Sequence, residues 1–138
     1  MTRQPRLTNR PAAATVEFAF VVPLFFLLIL GAIDCGRAMM GLDLIANASR
    51  SGCRAGTLPQ ATNSDVTSAV DAHLSSGGVS GATTTVQVNG QPADVATARK
   101  GDQITVTVSV PFSSVNWLPT SWFFGGKTLS RSTVMRHE

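Results

Sequence analysis

Few residues in this sequence are of types that do chemistry, and the one in the least ordinary place is Glu17. It is the only ionisable residue in AAATVEFAFVVPLFFLLILGAI, residues 12–33. A carboxyl about one turn inside an apolar segment is costly unless it reaches the interface or finds a partner. Two readings follow. In one, the side chain snorkels to the near interface. In the other, a peptidase cuts after Ala12, Glu17 becomes the fifth residue of a chain starting at Ala13, and its carboxylate pairs with a neighbouring subunit's new N-terminal amine. Such a pair would neutralise both charges in lipid and fix an axial register between packed subunits. We favour the second.

The other reactive candidates are Cys35 and Cys53. On one helix their separation of eighteen residues is about 27 Å, against a limit of roughly 7 Å for bridged Cα atoms. Free thiols or a bond to another chain are therefore expected, a buried free cysteine being the ordinary alternative. Asp71 and His73 stand two residues apart and diverge on a helix. No phosphate-cradling loop, nucleophile elbow, metal-ligand cluster or useful carboxylate pair is present. The reading is of a non-enzyme with no cofactor and no metal. Asn47-Ala48-Ser49 forms a glycosylation triplet, but on a predicted helix, and is discounted.

The segment that carries Glu17 is long enough to cross a bilayer: twenty-one helical residues rise about 31 Å, against a hydrocarbon core of roughly 30 Å. A content of 43% hydrophobic and 14% charged residues agrees with a chain partly in lipid, since soluble domains carry about 25% charge. Arg3, Arg6 and Arg10 precede the run and account for the formal charge of +3. They keep the N-terminus in the cytoplasm and leave no basic stripe for nucleic acid. Pro23, inside the run, predicts a mild kink that a membrane helix tolerates. No small-x-small triplet precedes Asp34 and Cys35, so an uncleaved anchor fits better than a secretory signal.

The helix is expected to continue to about Arg54. Cys35, Met39, Leu42, Ala46, Ser49 and Cys53 alternate at four and three, a heptad-like stripe, with Ala38, Gly41, Ala48, Gly52 and Ala55 around it. The stripe either seats the chain's own β-structure, the reading preferred for its distal half, or forms a seam between subunits. Gly56–Ser64 reads as a linker. Asp65–Ser76 reads as a short helix capped by Asn63 or Ser64 and ended by Gly77-Gly78. Thr83–Val88 and Gln103–Val110 read as strands, the second with one buried face. A hairpin loop joins them, and Val95 adds a brief edge contact. Thr128–Met135 closes the sheet. Phe112–Gly126 gathers both tryptophans and three of seven phenylalanines. We read these rings as a lid over a small core. The alternative is that Trp117, Trp122, Phe123 and Phe124 form a surface for membrane or partner.

RPAAATVEFAFVVPLFFLLILGAIDCGRAM resembles the start of TadE-like proteins, pilin-like subunits of the tight-adherence pilus system. LDLIANASRSGCRAG resembles the helix that follows in that family, and TLSRSTVMRHE its closing strand. The resemblance implies an α+β, pilin-like fold in which a long N-terminal helix, its lower half transmembrane, packs on a small antiparallel sheet. It implies a basic cytoplasmic leader over residues 1–12, a transmembrane helix over 13–33, an extracytoplasmic extension over 34–56, and a small α+β domain over 57–138. It also implies a prepilin peptidase, other pilin-like subunits, pilus assembly machinery and membrane lipid as partners, at a bacterial inner membrane. The family carries glycine just before its cut and glutamate five residues after. Glu17 matches, whereas Ala12 stands in the glycine's place. Cleavage between Ala12 and Ala13 gives a mature pilin, and its absence gives an anchor with the same topology. From a different class, the chain could be a membrane-tethered binding module.

Overall fold

The computed structural model describes residues 10–115 and 126–138, with side chains from Ala13 onward. Helix α1, Arg10–Gly56, runs for 47 residues and continues through Pro23. The chain divides into two units at Ile33/Asp34. In the first, Val16, Phe18, Phe20, Leu24, Phe25 and Leu28 are all exposed. A helix apolar on every side needs an apolar surround. By length and composition it suffices to cross a membrane, and no part of its most apolar stretch is buried.

The second unit, Asp34–Glu138, holds the rest of α1, helix α2 (Asn63–Ser76) and a four-stranded antiparallel sheet. The strands are β1 (Thr83–Val88), β2 (Gln91–Pro92), β3 (Gln103–Pro111) and β4 (Thr128–Arg136). Their order is β2-β1-β3-β4, with Val106 opposite both Val86 and Thr133. The alternation in β3 is fully expressed: Ile104, Val106, Val108 and Val110 are buried, and Thr105, Thr107 and Ser109 lie on the outer face. On that face Thr107 and Ser109 bond Ser132 and Ser130 of β4. This is the α+β arrangement the sequence implies, with four strands.

Two local readings are corrected. The cap of α2 is Thr62, not Asn63 or Ser64: the Asp65 carboxylate accepts from the Thr62 N–H at 2.9 Å and its hydroxyl at 2.7 Å. Asn63 is instead committed to a neighbouring loop, donating to the Ala93 carbonyl and accepting from the Val95 N–H. The edge contact comes from Gln91–Pro92, not Val95. Asn89 and Gly90 both take positive φ, 51° and 79°, the geometry of a two-residue hairpin turn, so β1 pairs at once with β2. Val95 then enters a 3₁₀ turn, Val95–Thr97, and is buried.

The core joins Ile45, Ala48 and Cys53 of α1 to Val66, Val70 and Leu74 of α2 and to the β3 side chains. Gly52 shows why α1 needs small residues here. A Cβ at that position would stand 2.6 Å from a Val70 methyl and 3.4 Å from one of Val106, so α2 and the sheet both reach the helix backbone. The buried line is therefore Ala38, Gly41, Ile45, Ala48 and Gly52. The expected stripe is rotated from it: Cys35 and Met39 are exposed, while Ser49 and Cys53, in its distal half, are buried against the sheet.

Candidate assembly surface on the N-terminal helix

Ala12 and Ala13 lie on α1, and the Ala13 side chain is exposed. Glu17 follows Ala13 by four residues, which places the two on the same side of the helix. Its side chain is exposed among Val16, Phe18, Ala19 and Phe20. Among the described residues nothing bonds or pairs with it. What the arrangement offers is one carboxylate on an apolar rod, with no partner among the described residues.

The two thiols are in opposite settings. Cys35 is exposed and Cys53 is buried, both free. The Cys53 thiol lies over the β3–β4 pairing, donating to the Thr133 carbonyl at 3.2 Å and the Ile104 carbonyl at 3.5 Å. Burial pushes its pKa up, partly opposed by the backbone of Val106 and Met135. The expectation of two intermolecular thiols narrows accordingly: in the folded chain only Cys35 presents its sulfur to another molecule.

Trp117, Trp122, Phe123 and Phe124, the aromatic candidates, lie outside the described residues. Of the described residues before them, Phe112 is fully buried, and the Val115 carbonyl accepts from the Arg37 guanidinium at 3.5 Å. Asp71 is exposed. His73 is half-buried and lines a shallow hollow with Asn47, Arg50, Ser51 and Arg54. Among the described residues no group of three or more His, Cys, Asp or Glu is placed to hold a metal ion.

A further row was not singled out in the sequence. Gly36, Met40, Asp43, Asn47, Arg50 and Arg54 are all exposed, at successive spacings of four and three that put them on one side of α1. The spacing alone carries the signal, since the row is polar in its upper half and lacks the apolar periodicity that usually marks a packing face.

No curated protein and no solved structure matches the chain significantly. Residues 12–54, the stretch of α1 that carries Glu17 and both cysteines, match the family model described as TadE-like protein, the family this stretch resembles in sequence.

Proposed function

We propose that this chain is a pilin-like, membrane-anchored subunit that takes part in assembling a tight-adherence pilus, and that its role is structural. The observation that carries this reading is Glu17, a single carboxylate on an exposed apolar helix whose sequence matches the TadE-like family. The chain would sit in a bacterial inner membrane with its N-terminus cytoplasmic and residues 34–138 outside. A prepilin-type peptidase would cut between Ala12 and Ala13.

The chemistry of that cut supports the role given to Glu17. A helix beginning at Ala13 leaves its first N–H groups unpaired and carries a new ammonium at the positive end of its dipole. Both draw a carboxylate. In lipid, where a lone charge is costly, the Glu17 carboxylate of an adjacent subunit satisfies them and its own charge together. Subunits would thereby be held at one axial offset.

N-terminal sequencing of the protein recovered from membranes and from sheared pili tests this reading. A start at Ala13 is expected, and Glu17→Ala should block pilus assembly while leaving membrane insertion intact. An intact Met1 or Thr2 start, with normal assembly of the Glu17→Ala protein, would instead favour a membrane-tethered binding module.

A further inference from the structure

Helices α1 and α2 meet at the hollow lined by Asn47, Arg50, Ser51 and Arg54 of α1 and His73 of α2, about 260 Å³ in volume. Among the described residues its lining holds donors and no acid. Arg50 and Arg54 stand one turn apart, at a spacing where like charges repel and cost a helix stability. Asn47 Oδ1 accepts from Arg50 Nη1 at 3.3 Å, which leaves the Asn47 amide its NH2 group to donate. The side chains of Ser51, Arg54 and His73 make no hydrogen bond or ion pair among the described residues. Acids nearby in sequence belong to other hollows. Asp43 shares one with two bases, Arg50 and Arg131, and Asp71 shares another with Ser75 and Ser80. A base in a last helical turn complements the helix dipole, which accounts for Arg54 and His73 one at a time. It does not account for their convergence with Arg50 on one cavity.

We propose that this hollow binds a phosphate group, carried by inorganic phosphate or by the monoester of a small solute. A phosphate monoester carries about −1.5 to −2 at neutral pH, close to the two fixed positive charges of Arg50 and Arg54. Their planar N–H forks also suit phosphate oxygens. A carboxylate matches less well. It has one charge and two oxygens, whereas the donors here come from two successive turns of α1 and, on the other side, from α2. In the site the two guanidinium groups and the His73 ring N–H each take a phosphate oxygen, with the Ser51 hydroxyl and the Asn47 NH2 completing the set. Asn47 has a second part, since its bond to Arg50 holds that guanidinium in place. The hollow is larger than a phosphate ion, which leaves room for a small ester group beside it. The site is independent of Glu17 and of the membrane anchor.

Titration calorimetry and thermal unfolding of the full chain in detergent, at constant ionic strength, test the site with inorganic phosphate, glycerol 3-phosphate and acetate as probes. At least one phosphate probe should bind saturably and raise the melting temperature with its concentration, and acetate should do neither. Arg50→Gln and Arg54→Gln should each weaken binding at least tenfold. Ser51→Asp, which sets an acid in the hollow, should abolish it. Arg131→Gln removes the same charge from the neighbouring hollow and should change the affinity less than twofold. None of these four side chains is buried, and unfolding without ligand checks that each variant folds. Tighter binding of inorganic phosphate identifies the free ion as the ligand, and tighter binding of glycerol 3-phosphate identifies the monoester. Either result supports the site. Absence of saturable phosphate binding by the native chain overturns the proposal, whatever the variants do. Equal binding of acetate, the sign of a carboxylate site, also overturns it. So does equal weakening by Arg131→Gln and Arg54→Gln, which would reduce the effect to attraction by net charge.

Discussion

The hydroxyl oxygens of Ser49 on α1 and Thr133 on β4 lie 2.6 Å apart, joining positions 84 residues distant in the chain. Ser49 also donates to the Ala46 carbonyl at 3.0 Å. Either hydroxyl can donate to the other. Ser49→Ala leaves the half-buried Thr133 hydroxyl without that partner, and the expected loss is about 1 kcal/mol of unfolding free energy. Thr133→Val in the same chain removes the orphaned hydroxyl, so the double variant should lose less than the two single losses added. Denaturant unfolding of the four proteins in detergent measures both quantities. Strict additivity would mean that the two hydroxyls do not interact.

Two glycines of α1 should respond oppositely to the same change. At Gly52 the added methyl would stand 2.6 Å from Val70 and 3.4 Å from Val66 and Val106. Val66, Val70 and Val106 are fully buried, so the crowding cannot be relieved by turning a side chain into solvent. Overpacking of this kind costs roughly 1–3 kcal/mol, which outweighs a helix-propensity gain of about 1 kcal/mol. At Gly36 nothing lies within 4 Å, and only the gain applies. Gly52→Ala should lower the melting temperature and Gly36→Ala should raise or preserve it, as read by thermal unfolding of the purified chain.

How much of this was legible in the sequence depended on whether the signal was local. The alternation Ile104-Thr105-Val106-Thr107-Val108 predicts a half-buried strand, and the structure buries just those apolar positions. Glu17 stood out because its neighbours are all apolar. What failed required knowledge of partners distant in the chain. The buried face of α1 passes through Gly41 and Gly52, where the sheet and α2 press on the backbone, and a glycine gives no hydrophobic signal. The periodicity of Cys35 and Met39 was real, but a rotation of about 100° separates neighbouring helix positions, enough to turn those two outward. Asn63 looked like a cap by residue type, and only its bonds to Ala93 and Val95 show otherwise.

Two carboxylates, the exposed Asp65 and the half-buried Asp102, tie stability to acid pH. Asp65 is held below the usual carboxylate range by the Thr62 hydroxyl and then by the Thr62 N–H. Asp102 is lowered first by the Asn89 amide, at 2.9 Å, and next by the Arg99 N–H, at 2.7 Å. A carboxyl with a lower pKa in the folded chain binds fewer protons there than when unfolded. Its contribution is therefore complete above the ordinary value of 3.8 and is lost as pH falls through the lowered folded value. Melting temperature should be flat near neutrality and fall below about pH 4. Asp65→Asn and Asp102→Asn should each lower the neutral plateau and shallow the acid decline. An unchanged acid limb in both variants would mean that these bonds do not stabilise the fold.

The two cysteines should separate by reactivity. The thiolate is the nucleophile toward maleimides, so a thiol that is both buried and raised in pKa reacts slowly for two independent reasons. Cys53 meets both conditions, enclosed at 0% exposure over the β3–β4 pairing. Cys35 is open to solvent. N-ethylmaleimide added to the native protein should modify Cys35 alone, and Cys53 should follow only when denaturant opens the sheet, as mass spectrometry of the digested chain would show. The same contrast fixes the origin of any covalent dimer. If oxidised membranes yield one on a non-reducing gel, Cys35→Ser should abolish it and Cys53→Ser should leave it. A dimer that survives Cys35→Ser but disappears with Cys53→Ser would require α1 to part from β4 in the membrane.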